Sequence, residues 1–401
     1  MKFERLGTKI IQIRGIAFNP KDISDFSLPD YVPVLKANNI KERGIDISNL
    51  IYIHRSKVKP EQFIKKGDLL LAASSGSKDI VGKNIFFEND FEGSFGAFCK
   101  LVRPKENIHP KFVGVFFKTP IFKRHIRRLI NGALINNLRN EHVDSLIIPS
   151  LNLSDQIQIA TILSKAETLI EQRKESIRLL DEFLKSTFLE MFGDTRHYSK
   201  NDVLKTVGEV CYCRGGGTPS KAKPEYYIGD IPWVSPKDMK WLYITTSQDK
   251  ITEQAVKESS TTLIPKGAVL MVIRSGILKS KLPLAINKVA VTINQDMKAF
   301  SSTEITSEYL LYFFMSEEKN ILKKVKGTTA DNLNFDDVKK LKIKIPSQAL
   351  QTQFAQVVEK TETLKEQYKN SLVELENLYG SLSQRAFKGE LEFSKEVARA
   401  E

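Results

Sequence analysis

Two stretches decide the architecture, Gln156-Ile157-Gln158-Ile159-Ala160 and Gln351-Thr352-Gln353-Phe354-Ala355, set apart by 351 − 156 = 195 residues. Beyond them Lys165, Glu167, Thr168, Leu169, Glu171, Gln172, Lys174, Ser176 and Leu180 recur without a gap as Lys360, Glu362, Thr363, Leu364, Glu366, Gln367, Lys369, Ser371 and Leu375. A duplication of this length sets the organisation of a chain before any single motif does. Upstream, Gly132, Asn137-Leu138, Val143 and Leu146 recur at the same offset as Gly327, Asn332-Leu333, Val338 and Leu341, and both runs end in proline. Further back the agreement thins. Ile64-Lys65-Lys66-Gly67 parallels Ile264-Pro265-Lys266-Gly267 at an offset of 264 − 64 = 200. The similar parts are expected to face similar partners, and the dissimilar parts different ones.

Within the duplicated stretches Ile159, Leu163, Ala166, Ile170, Ile177, Leu180 and Leu184 follow a heptad spacing, with Arg173 on the seam. Phe354, Val358, Thr361, Tyr368, Leu372, Leu375, Tyr379 and Leu382 repeat it, with Lys365 on the seam. That pattern predicts coiled-coil helices. Their starts are signalled by Ser154-Asp155 and by Ser347-Gln348 after Pro346. A helix from Ser154 to Glu190 spans on the order of 55 Å, longer than one small globule needs. The copies are expected to pack antiparallel as a ruler, and the competing expectation is two independent bundle helices in separate domains. The chain of 401 residues thus divides into a variable segment 1–150, a helical segment 151–195, a second variable segment 196–347 and a second helical segment 348–401. The expected fold class is α+β, with two mixed α/β domains in pseudo-twofold arrangement separated by two long antiparallel coiled-coil helices.

Both variable segments carry short apolar runs that read as strands, Asp68–Ala72 and Ala268–Val272. Each is followed by a polar, lysine-bearing loop, Ser74-Ser75-Gly76-Ser77-Lys78 in one and Arg274-Ser275-Gly276 with Lys279 and Lys281 in the other. Such loops bring backbone amides and cations to phosphates, although a plain hairpin turn explains each as well. Another loop, Arg214-Gly215-Gly216-Gly217-Thr218-Pro219-Ser220-Lys221, is rich in small residues and suited to close approach to a groove. Basic stretches follow at Lys123, Arg124, Arg127 and Arg128, and at Lys323, Lys324 and Lys326. Sixty-one Lys and Arg against forty-eight Asp and Glu give a formal charge of +13. A polyanion such as nucleic acid is the natural partner.

The usual signatures of chemistry are absent from the sequence. No G-x-x-x-x-G-K-[ST] loop, G-x-G-x-x-G fingerprint, G-x-S-x-G elbow or H-E-x-x-H pair occurs, and the five histidines are scattered. The three cysteines include one C-x-C pair, Cys211 and Cys213, which suits neither a disulfide nor, by itself, a zinc site. The Asn/Asp-Pro-Pro-aromatic tetrapeptide of adenine methyltransferases is missing. With no basic-then-apolar leader and no run of about 18 apolar residues, a soluble cytoplasmic chain is expected, off the membrane.

The duplicated Gln-x-Gln-x-Ala helices now resemble those of the specificity subunits of type I restriction-modification systems. Also similar are Gly217-Thr218-Pro219-Ser220 leading to Ile231-Pro232-Trp233-Val234 and Pro236-Lys237-Asp238-Met239, and the run Gly93-Ser94-Phe95-Gly96-Ala97-Phe98 with Arg103-Pro104. The first domain has the matching strand around Pro33–Asn38 but lacks the Thr-Pro-Ser loop. The resemblance covers essentially the whole chain and implies two target-recognition domains, each reading one half of a split, asymmetric site in double-stranded DNA. It implies further that two methyltransferase (modification) subunits bring S-adenosylmethionine and methylate adenine N6. Restriction/translocase subunits would supply ATP- and magnesium-dependent translocation and cleavage, so this chain itself would hold no cofactor, metal or catalytic residue. Base and phosphate contacts call for Lys, Arg, Asn, Ser and Thr. The DNA-binding candidates are Lys36, Asn38, Ser75, Lys78 and Asn137 in the first domain, and Thr218, Ser220, Lys221, Lys237, Arg274, Lys279 and Asn332 in the second. Asn137 and Asn332, being equivalent, also suit the capping of a following turn. Three rivals stand beside this reading: a helical scaffold that binds DNA without sequence preference, a nuclease using some of the acidic residues, and a related system in which methylation and cleavage share one partner polypeptide.

Overall fold

The structure, a computed structural model, describes residues 2–41, 44–77, 79–132, 137–200, 202–325 and 332–391. The chain forms two compact units, Met1–Lys174 with Asn370–Glu401, and Glu175–Lys369. Each unit therefore owns one α/β domain, the start of one long helix and the end of the other.

In the first unit a four-stranded sheet runs Ile10–Arg14, Cys99–Pro104, Leu69–Ala72, Asn84–Phe86, and a second runs Ser94–Phe95, Tyr31–Leu35, Ile51–His54, Ile23–Ser24. The expected strand Asp68–Ala72 is present as Leu69–Ala72, and all four of its residues are buried. The reason is that both of its faces are covered. Leu69 and Leu71 pack with Phe112 and Phe116 of the helix Pro110–Lys118, whereas Leu70 and Ala72 pack with Leu35 and Phe95 of the second sheet. A strand buried on both sides has no polar face to alternate, hence the unbroken apolar run. The second unit repeats the plan. Its larger sheet runs Tyr212–Gly215, Met297–Ser301, Val269–Val272, Leu284–Asn287, Tyr243–Ile244, and its smaller one Asp249–Ile251, Ile231–Val234, Thr292–Ile293. Val269 and Met271 face a core with Tyr309 and Phe313, and Leu270 and Val272 one with Val234 and Ile293.

The two long helices span Leu153–Phe192 and Gln348–Lys388, 40 and 41 residues, or about 60 Å each. The first starts slightly before Ser154, because Asn152 Oδ1 accepts the Asp155 N–H (2.8 Å) and so caps the helix. The repeated glutamine has one job in both units. Gln156 Oε1 accepts the His109 N–H (2.8 Å) at the start of the helix Pro110–Lys118, while its Nε2 donates to the Leu151 carbonyl (2.9 Å). Gln351 Oε1 accepts the Thr306 N–H (2.8 Å) at the start of the helix Ser307–Ser316, and its Nε2 donates to the Glu304 and Pro346 carbonyls (3.2 and 3.0 Å). Both side chains are buried.

Within each unit the halves of the two long helices run antiparallel. In the first, Phe387 stacks between Phe112 and Phe116 (ring centroids 5.0 and 4.9 Å) beside Ile159 and Leu163. Tyr379 Oη donates to Glu167 (2.8 Å) further along. In the second, Phe354 packs on Phe188 and Phe192 (5.5 and 5.4 Å). The seam irregularity at Lys365 is an ion pair, its ammonium bonded to Asp181 of the opposing helix and to Glu362 (3.0 Å). Among the described residues no helix is long and apolar enough to cross a membrane.

Replacing either glutamine by leucine leaves a buried N–H and carbonyls without partners. Chemical denaturation should show losses of about 1–3 kcal/mol, larger for Gln351→Leu, which strands three groups, than for Gln156→Leu, which strands two.

Candidate nucleic-acid interface

In both units a ladder of backbone hydrogen bonds joins loops far apart in sequence into one edge. In the first unit the Ile16 N–H donates to the Phe95 carbonyl (2.8 Å), Gly96 to Leu35 (2.9 Å), Ala73 to Phe98 (2.9 Å) and Leu138 to Ala73 (2.7 Å). In the second, Gly217 donates to Ile293 (3.0 Å), Asn294 to Val234 (2.9 Å), Ile273 to Asp296 (2.8 Å) and Leu333 to Ile273 (2.8 Å). These are the same bonds in the same order, so the loops are equivalent although their sequences scarcely agree.

The ladder places most of the candidate residues. Asn38 and Lys237 are exposed at the tips of matching turns. Each turn is pinned three residues on: the Lys36 N–H donates to Asn39 Oδ1 (2.8 Å), and the Ser235 N–H to Asp238 Oδ2 (2.9 Å). Ser75 and Ser275 head the next pair of loops. Ser75 Oγ accepts the Ser77 N–H (3.1 Å) and Ser275 Oγ the Ile277 N–H (3.5 Å), while Arg274 and Lys279 stand exposed on either side of Ser275. Arg274 Nη1 lies 4.0 Å from Asp296. Asn137 and Asn332 are bridged by backbone to Ser74 and Arg274, and both are exposed. Neither caps the turn that follows. Asn334 does so in the second unit, accepting the Asp336 N–H (3.1 Å), and His142 Nδ1 holds the Arg139 N–H (3.2 Å) in the first. Lys78 lies outside the described residues, as does Lys326. Lys123, Arg124, Arg127 and Arg128 are exposed on the helix Pro120–Gly132, and Lys323 and Lys324 are exposed after the helix Glu318–Leu322.

The glycines of the glycine-rich loop have a role inside the protein. Gly216 and Gly217 approach their own protein rather than open space: a Cβ on Gly216 would lie 2.0 Å from the Asn294 carbonyl oxygen, and one on Gly217 2.6 Å from the Thr261 nitrogen. The Gly217 carbonyl accepts the Trp233 indole N–H (2.9 Å), and Thr218 Oγ1 donates to Gln295. Thr218 is thus a brace of the edge. Ser220 and Lys221 stay exposed further along the loop, where Ser220 Oγ accepts the Ala222 N–H (3.4 Å). The first domain has the same close approach at Gly15, where a Cβ would lie 2.1 Å from the Gly96 carbonyl oxygen. Reading the sequence missed Gly15, because nothing resembling Thr-Pro-Ser follows it. A single glycine closing a strand, Ile10–Arg14, was the available signal.

The cysteines suit no thiolate chemistry, because burial pushes the Cys99 and Cys211 thiols up to about 12 and raises Cys213 too. Among the described residues no cluster of three or more His, Cys, Asp or Glu is placed to hold a metal.

Two equivalent α/β domains with different side chains on equivalent loop edges describe a duplicated reading module. Residues 10–179 and 200–377 each match the type I restriction modification DNA specificity domain. The chain belongs to that family, and its role is that of a type I restriction-modification specificity chain, a DNA-recognition rather than catalytic component. It is 26% identical over 409 residues to the StySPI specificity subunit of Salmonella potsdam, covering 94% of this chain and 86% of that one. To the EcoR124I/EcoR124II specificity subunit of Escherichia coli it is 38% identical over 210 residues, covering 48% of this chain and 52% of that one. In fold it is similar to the crystal structure of a type I restriction-modification S subunit from M. genitalium, with TM-score 0.59, 14% identity, and 98% and 96% of the two chains covered.

Gly15→Ala and Gly216→Ala should each destabilise the protein by about 1–3 kcal/mol through forced displacement of the edge. Gly76→Ala and Gly276→Ala, where a Cβ meets open space, should stay within about 0.5 kcal/mol of the parent in the same unfolding experiments.

Proposed function

We propose that each domain reads one half of a split, asymmetric site in double-stranded DNA and that the paired long helices set the unread spacer between the halves. The observation that carries this reading is the repeated backbone ladder, which offers the same edge twice with different chemistry. The first domain presents Lys36, Asn38, Ser75 and Asn137. The second presents Lys237, Arg274, Lys279 and Asn332, with Ser220 and Lys221 beside them and Thr218 bracing the loop. Exposed Asn and Arg suit base edges, and Lys and Ser suit phosphates. The formal charge of +13 supplies the long-range attraction.

In this reading two methyltransferase subunits dock on the chain, bring S-adenosylmethionine and methylate adenine N6 in each half. Restriction/translocase subunits bring the ATP- and magnesium-dependent steps. The chain itself needs no cofactor, and it works in the cytoplasm, where its free thiols stay reduced.

Co-expression with the methyltransferase subunit, followed by mapping of N6-methyladenine on host DNA, tests the proposal. The expected result is a motif of two short defined halves with a constant gap. Random methylation by a complex that forms and binds S-adenosylmethionine would favour a nonspecific scaffold. In the same assay Arg274→Ala should relax one half only, by about 1–3 kcal/mol for a bidentate base contact, and an equal loss on all DNA would assign it to phosphate. A heptad inserted after Lys174, matched by one after Lys369 to keep the seam in register, should lengthen the accepted gap and leave both halves unchanged.

A further inference from the structure

In each domain a tight turn sits in the middle of the loop edge. In the second it is Asn294-Gln295-Asp296-Met297, closed by the Met297 N–H on the Asn294 carbonyl (3.2 Å). Its side chains are polar and engaged. Gln295 accepts from Thr218, and the Asp296 carboxylate takes a hydrogen bond from Asn294 (3.1 Å) and faces the Arg274 guanidinium at 4.0 Å. In the first domain the turn is Gly96-Ala97-Phe98-Cys99, closed by the Cys99 N–H on the Gly96 carbonyl (2.9 Å).

Phe98 holds the place of Asp296. Its carbonyl accepts the Ala73 and Ser74 N–H groups (2.9 and 3.0 Å), as that of Asp296 accepts those of Ile273 and Arg274 (2.8 and 3.2 Å). Phe95 and Cys99 anchor the turn in the core on both sides, yet the Phe98 residue is 68% exposed. A lone exposed ring is ordinary on a protein surface. This one is set apart by its place, on a backbone fixed from both sides, between the loops of Ser75 and Asn38, where the other domain carries an acid paired to an arginine.

A phenylalanine ring offers no donor and no acceptor. In the major groove the one apolar group it can complement is the C5-methyl of thymine. We propose that Phe98 is a specificity-determining residue of the first domain and packs its ring on a thymine methyl in the half-site that domain reads. The proposal rests on the bipartite reading above and adds to it the chemistry of one position.

The test uses the full chain assembled with its methyltransferase subunit and duplexes carrying the mapped site. Each thymine of both halves is replaced in turn by deoxyuridine, which removes the methyl alone. One replacement should weaken wild-type binding by about three- to tenfold. The same replacement should leave Phe98→Ala unchanged, with Phe98→Leu between the two. Thermal unfolding and intact reading of the other half confirm that the variants are folded, and Phe98→Leu keeps the test alive if the alanine variant is not.

Equal effects of every replacement on wild type and Phe98→Ala would overturn the proposal alone, as would a half-site lacking thymine. So would a loss confined to assembly with the methyltransferase. A fluorescence rise of 2-aminopurine that depends on Phe98, without any coupling to the methyl, would replace it by insertion of the ring between bases. A wild-type complex with no sequence preference would overturn the bipartite reading and this proposal together.

Discussion

A buried glutamine amide at the start of each long helix governs how that helix leaves its domain. Gln156 and Gln351 each satisfy the first free N–H of a domain helix and a carbonyl of the incoming strand-to-helix turn. Helix starts leave such groups without partners, and burying them bare is costly. One side chain therefore couples three segments, and the direction of a helix about 60 Å long follows from that joint. The aromatic packing of Phe354 and Phe387 adds buried area beside these joints.

The domains above these joints share a frame and differ in cargo. The frame is backbone: the bonds from Gly96 to Leu35 and from Asn294 to Val234 do not depend on which side chains project. Loops tied in this way tolerate exchange of exposed residues with little loss of stability, because the exchanged groups carry few of the contacts that hold the edge. The glycines are the exception. Gly15 and Gly216 sit where two backbones touch, so they belong to the frame although they lie in loops.

The repeat in the helices was legible because it is periodic and ungapped, and the strands Leu69–Ala72 and Val269–Val272 were legible because burial on both faces leaves only apolar residues. The loop edges were legible in outline alone. Their equivalence resides in hydrogen bonds between segments as distant as Leu35 and Gly96, and the offset between the copies slides along the chain. Asn294-Gln295-Asp296 and Gly96-Ala97-Phe98 share a turn but no residue, so comparison of letters passes over them. The Gly216-Gly217 pair was legible only in part for a related reason. Small residues signal close approach, and only the fold reveals that the approaching surface is Asn294 and Thr261. Lys365 looked like a flaw in the seam because its partner, Asp181, lies on the other helix.

The division of the helices also bears on how the chain is made. The second unit, Glu175–Lys369, is one continuous stretch, whereas the first is closed by residues after Asn370. Ala386 and Phe387 complete a core begun by Leu6 and Ile10. As the chain leaves the ribosome, the first domain emerges early and lacks the Phe387 ring that packs on Phe112 and Phe116 until the second long helix arrives, while the second unit already has all its parts. Long-range closure of this kind is slow and leaves apolar surface open in the interval. The core of the first unit is thus complete only once Ala386 and Phe387 have joined it, whereas that of the second needs nothing beyond Lys369.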